Sequence, residues 1–230
     1  MSTHSVSAPL RILCIHGYRQ NSGTFRDKTG ALRKLLKKQA ELVYISAPHR
    51  VTLSAEIEQD QEKKNEAKDE EDPRGWWFSD IQARTFHAGQ VCEASLGLEE
   101  SFETVKTAIR EQGPFDGILG FSQGAALVAM LCALQEQQLA PELKFRFAIL
   151  VAGFPSVCAQ HERFYTGVTL TTPSLHVFGQ TDGVIPDTMS RELLLKFKDP
   201  QVLIHPGGHF VPAASTHRQT YQEFLKRFQG

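Results

Sequence analysis

The chain has 230 residues, 41% of them apolar, with 25 lysines and arginines against 26 aspartates and glutamates. That length and apolar share suit one domain, taken as 1–230, with a sizeable core. The balanced charge offers no basic face for nucleic acid and no cationic surface for a membrane.

The start, "MSTHSVSAPLRILCIHGY", holds no long apolar run, and Arg11 interrupts the one candidate. It is read as neither a secretory signal nor a transmembrane helix, which points to the cytosol, with the nucleus open. The four cysteines, at 14, 92, 132 and 158, are scattered and form no C-x-x-C pair. They read as reduced packing residues, not as a disulfide framework.

In chain order, "LRILCI" (10–15) predicts a strand and 22–39 a helix with Phe25, Leu32, Leu35 and Leu36 on one face. A strand follows at 41–46, then an irregular stretch, a helix over 98–112, and a strand over 115–121. The helix at 123–137 is apolar nearly all round and hence buried. Further strands are expected at 145–154, 173–179 and 201–205, with helices near 187–198 and 212–228. Continuous apolar strands alternating with helices predict an α/β fold, a mostly parallel sheet covered on both faces. The segment 56–72 breaks the pattern: nine acids and three lysines give it −6, leaving +5 for the rest. It reads as a solvated, flexible insert, with a docking role as the alternative.

The motif Gly120-Phe121-Ser122-Gln123-Gly124 follows a strand and opens a helix. A nucleophile elbow needs that context. Its turn is so tight that the residues two before and two after the serine must be small, and Gly120 and Gly124 are. The helix N-terminus beneath the hydroxyl favours developing negative charge. A serine needs a base on a loop after a later strand. Of nine histidines, His209 in "HPGGHFVP" fits best; His205 closes the strand and His217 falls in the last helix. Asp182, on the loop after 173–179, is the orienting acid, whereas Asp187 looks like the start of the next helix. The order Ser122, Asp182, His209 is that of α/β-hydrolases. Backbone N–H groups of Gln123 and Tyr18, the latter after the first strand, are the oxyanion donors. No motif for a metal or a nucleotide occurs, and no cofactor is expected. Trp76, Trp77 and Phe78 either pack the insert on the core or wall an apolar acyl channel, to which Phe121, Phe154 and Phe210 would add. No Arg or Lys within the catalytic-loop motifs clamps an anion, although Arg19 is near.

Together "LCIHGYRQNSGTFRDKTGALRKLL", "RGWWF", "GFSQGAAL", "GQTDGVIP" and "GGHFVP" resemble the serine hydrolase family that includes the fungal FSH hydrolases. The resemblance covers nearly the whole chain apart from the first few residues and the acidic segment. It implies an α/β-hydrolase fold, cofactor-free carboxylester hydrolysis, and the same triad of Ser122, Asp182 and His209. It also implies a small-molecule acyl ester substrate, often with a long alkyl chain; some fungal relatives release polyketide acyl thioesters. "GFSQGA" is similar to acyl-protein thioesterases as well, which keeps an acyl thioesterase as the alternative. A binding protein on a hydrolase fold is a further reading, and the complete triad argues against it.

Overall fold

A computed structural model describes residues 7–52 and 72–230. Except for Asp72, the acidic segment lies outside the described residues. The chain runs β1 (Leu10–Ile15), α1 (Ser22–Lys28), α2 (Gly30–Leu36), β2 (Ala40–Ile45), β3 (His49–Arg50) and β4 (Arg74–Gly75). It continues through α3 (Leu98–Gln112), β5 (Gly117–Phe121), α4 (Gln123–Glu136), β6 (Phe147–Val151) and β7 (Ser174–Gly179). Last come α5 (Asp187–Leu194), β8 (Gln201–His205) and α6 (Arg218–Lys226).

Six strands form one sheet in the order β2-β1-β5-β6-β7-β8, parallel at every pairing. The apolar runs are continuous because both faces of the sheet are covered. Leu13, Ile15, Ile118 and Leu150 point to the side packed by α3 and α4. Ile12, Cys14, Leu119, Ile149 and Val177 point to the side of α1, α2 and α6. Helix α4 is buried from Gln123 to Ala133, which explains why it lacks a polar face. The chain leaves β1 outward to β2 and returns to β5 on β1's other side. That reversal of strand order puts the usual ligand position of such sheets beyond the carboxyl ends of β1 and β5.

Several boundaries differ from expectation. The helix over 22–39 is two helices, α1 and α2, joined at Thr29, whose φ is −104° and ψ 17°. The Thr29 hydroxyl binds the Phe25 carbonyl at 2.8 Å and the Tyr44 hydroxyl at 2.5 Å, so tertiary bonding competes with helix continuity. Strand β6 stops at Val151 because Ala152 takes φ 51°. Helix α5 ends early, where Lys198 donates instead to the Leu170 carbonyl at 2.8 Å. The last helix begins as a 3-10 turn over Ser215–His217. The small antiparallel pair of β3 and β4 carries no pattern that the sequence shows. No helix among the described residues is long and apolar enough to cross a membrane.

Candidate active site

Ser122 stands between β5 and α4 with φ 57° and ψ −118°, a strained conformation for a residue with a Cβ. Its N–H is held by the Val151 carbonyl at 2.9 Å, and its carbonyl already accepts from Ala126 at 3.1 Å. The flanking glycines are sterically required. A Cβ on Gly120 would lie 2.5 Å from the Gly124 carbonyl oxygen, and one on Gly124 would strike the carbonyl oxygens of Ile15 and His16. The Ser122 hydroxyl makes no capping bond to α4, so the helix does not engage it.

Two loops at neighbouring strand ends bring Asp182 and His209 together. Gln180 donates to the His205 carbonyl at 2.9 Å and Thr181 to the Gly207 carbonyl at 3.2 Å, so the chains stay paired beyond β7 and β8. Asp182 Oδ2 lies 2.8 Å from His209 Nδ1. Its other oxygen accepts the N–H groups of Val184 at 2.8 Å and Ile185 at 2.9 Å. Burial pushes the Asp182 carboxyl up, but the bonds from His209, Ile185 and Val184 outweigh it and hold the group below its ordinary value. Against an ionised carboxylate, which only accepts, Nδ1 must carry the proton, and Nε2 is left as the basic nitrogen. The His209 ring lies 4.7 Å from that of Phe121, the residue beside Ser122. The structure thus joins Asp182 to His209 directly and approaches Ser122 through Phe121.

The other candidates behave differently. His205 is 2% exposed and closes β8, where its Nδ1 accepts from Gly207 at 3.2 Å. His217 ends the 3-10 turn before α6. Asp187 opens α5 and pairs with Arg191 at 3.2 Å.

Gln123 does more than its backbone position foretold. Its side chain is fully buried; Oε1 accepts from Trp76 N–H at 2.9 Å and Nε2 donates to the Trp77 carbonyl at 2.8 Å. The residue after Ser122 therefore grips the "WW" segment as a strand neighbour would. Trp76 Nε1 donates to the His16 carbonyl at 2.8 Å. His16 Nε2 accepts from Ala47 N–H at 2.9 Å, so Nδ1 is the protonated nitrogen and donates to the Gly17 carbonyl at 2.7 Å. Burial lowers the His16 pKa to about 4, and the ring stays neutral. The Tyr18 ring packs on Phe86 at 5.4 Å and against Gly75, fixing the loop after β1. The pairing of the Gln123 side chain with residues 76 and 77 left no periodic signal in the sequence.

The aromatic candidates separate into three groups. Trp76 and Phe78 are fully buried, Trp76 against His16 and Phe78 between His49 and the Arg84 guanidinium. Trp77 meets Phe86 edge-on at 5.2 Å, and Phe86 stacks on Phe154 at 6.0 Å. These three rings border a small cavity of about 10 Å³, room for about one water molecule. Phe154 lies three residues past the carbonyl that holds Ser122 N–H. Phe210 is half exposed, beside His205. Among the described residues, no group of His, Cys, Asp and Glu could hold a metal ion.

A family model described as Serine hydrolase (FSH1) matches residues 5–221. The chain is 68% identical over 225 residues to the Danio rerio protein named Esterase OVCA2, covering 97% of this chain and 99% of that one. It is 46% identical over 226 residues to the Homo sapiens protein of the same name, covering 96% and 97%. The crystal structure of Zea mays acyl-protein thioesterase 2 aligns with a TM-score of 0.64 at 16% identity, over 97% of each chain. That of Arabidopsis thaliana SOBER1 aligns at 0.62 and 18% identity, over 96% of this chain and 99% of the other. Those distant matches share the α/β-hydrolase fold. The chain belongs to the FSH1 serine hydrolase family and is a carboxylic ester hydrolase.

Proposed function

We propose that Ser122, His209 and Asp182 form the catalytic triad of a serine carboxylesterase acting on medium to long acyl chains. The observation that carries this reading is the 2.8 Å bond from His209 Nδ1 to a buried Asp182, set next to the strained Ser122 turn. Ser122 Oγ attacks the ester carbonyl while His209 Nε2 takes its proton. The N–H groups of Gln123 and Tyr18 receive the oxyanion, a contribution of a few kcal/mol in such sites. The alcohol leaves with the proton from His209, forming an acyl-serine. Water, deprotonated by the same imidazole, then releases the acid. Asp182 keeps the imidazole oriented and stabilises its charge in each transition state.

The apolar rings of Trp77, Phe86 and Phe154 support an alkyl-binding role, and half-exposed Phe210, the residue after His209, is a further apolar candidate. Trp76 and Phe78 suit a different task, holding that wall to the core. The cavity has room for about one water molecule, so binding an alkyl chain there requires its wall to move. The test is a series of p-nitrophenyl esters from acetate to decanoate, with matched thioesters. From acetate to octanoate kcat/KM should rise at least about tenfold, since each buried methylene contributes up to about 0.8 kcal/mol. A flat or falling series would reject the acyl-channel reading, and a marked preference for the thioester would move the enzyme to the thioesterases.

A further inference from the structure

Two of the four cysteines sit side by side although they lie 66 positions apart in the chain. Cys92 and Cys158 are partners in a parallel β-bridge. Ala159 N–H donates to the Cys92 carbonyl at 2.8 Å and Gln160 N–H to the Glu93 carbonyl at 3.0 Å. The Cys158 thiol points across the same seam, 3.6 Å from the Glu93 carbonyl. Bridge partners in parallel strands lie about 4.8 Å apart with their side chains on one side. That falls within the Cα separation of about 4.4–6.8 Å that a disulfide spans. Both thiols are free, Cys158 buried and Cys92 half-buried. Cys14 and Cys132, by contrast, are buried in separate core clusters.

The position matters because Cys92 and Cys158 line the same cavity as Trp77, Phe86 and Phe154. Only noncovalent contacts hold the two segments together there. Besides the bridge, His161 takes Ser95 Oγ at 2.8 Å on Nε2 and Ser156 Oγ at 2.6 Å on Nδ1, and meets Trp77 edge-on. If this seam parts to admit an acyl chain, a covalent tie across it holds the cavity shut.

We propose that Cys92 and Cys158 are a redox-modification site, forming a reversible disulfide under a peroxide-class oxidant that fastens the wall of the aromatic cavity. Cys92 sulfur attacks the peroxide, its S–O bond forms as the O–O bond breaks, and one water leaves. Cys158 sulfur then displaces the sulfenic oxygen as a second water, forming the S–S bond. Two thiols are thus oxidised and one peroxide reduced; a dithiol reverses the step. Burial, and next the hydrogen bond with Cys158, push the Cys92 thiol up to about 12. The thiolate is the reactive form, so oxidation accelerates as the pH rises. The effect on catalysis rests on reading the cavity as the acyl site; formation of the bond does not.

The experiment treats the full chain with hydrogen peroxide at about pH 8. Thiols are then alkylated, peptides mapped, and octanoate and acetate hydrolysis measured before and after dithiothreitol. A 92–158 cross-linked peptide is expected, with Cys14 and Cys132 still alkylatable after unfolding. Octanoate kcat/KM should fall about tenfold, as expected for losing a methylene-binding wall, while acetate changes little and dithiothreitol restores the rate. Cys92→Ser and Cys158→Ser proteins should each keep their own octanoate rate under peroxide. Absence of the cross-linked peptide, or Cys92 sulfinate in its place, overturns the proposal. So does a cross-linked enzyme with an unchanged octanoate-to-acetate ratio. A reduced enzyme without chain-length preference would instead contradict the acyl-site reading, and the cross-linked peptide would then decide this proposal alone.

Discussion

At the scale of single residues, Asp182 and Gln123 act through hydrogen bonds that few other side chains could make. Asp182 uses one oxygen for His209 and the other for two backbone N–H groups. Asn at 182 can keep the backbone contacts but presents the wrong partner to Nδ1–H, freeing the other tautomer. Asp182→Asn should lower kcat by about a thousandfold or more with little change in thermal midpoint; an active variant would remove Asp182 from the triad. Gln123→Ala is a different kind of test. It strands the buried Trp76 N–H and Trp77 carbonyl, at about 1–3 kcal/mol for each unsatisfied group. Urea unfolding should show a loss of about 2–4 kcal/mol, and an unchanged midpoint would mean that water or repacking replaces the clamp.

At the scale of elements, the elbow is a steric construction. Gly120→Ala and Gly124→Ala each drive a methyl into backbone of a neighbouring turn or strand, and each should cost about 3 kcal/mol or more. Gly183→Ala, in the same loop as Asp182 but with nothing within 4 Å, should stay within about 0.5 kcal/mol. Equal midpoints for all three variants would contradict the steric account. These elements were legible because the glycines flank a serine between a strand and an apolar helix. The break between α1 and α2 is hidden from the sequence because Thr29 bonds to Tyr44, a contact that helical periodicity cannot encode. The role of Trp76 and Trp77 was open for a similar reason. Their main-chain partner is a glutamine side chain 46 and 47 residues away. The Cys92–Cys158 bridge was hidden in the same way, since spacing along the chain says nothing of two loops that meet above the sheet.

At the scale of the whole molecule, the alternation of buried strands and helices made the sheet and its covered faces readable. Buried histidines then set how the fold responds to acid. Burial lowers His16 and His161 to about 4 and His176 to about 3, from an ordinary 6.5. Each stays neutral in the fold while the unfolded chain would protonate it. The unfolded state therefore binds more protons in this window, so stability is full above pH 6.5 and falls as pH drops toward 4. His16 and His176 alone would each contribute a slope approaching about 1.4 kcal/mol per pH unit. Asp182 adds loss only at lower pH, as the pH falls through its depressed folded-state value. Urea midpoints from about pH 7.5 to about pH 5 should decline below 6.5; a flat profile would contradict neutral burial.

These scales meet in the claim that Ser122 is the nucleophile. A fluorophosphonate reacts only with a serine activated by its base, and peptide mapping locates the adduct. The account predicts one adduct, on Ser122, abolished in Ser122→Ala and strongly slowed in His209→Gln. Labelling of Ser122→Ala at the wild-type rate, or an adduct on another serine, would contradict it.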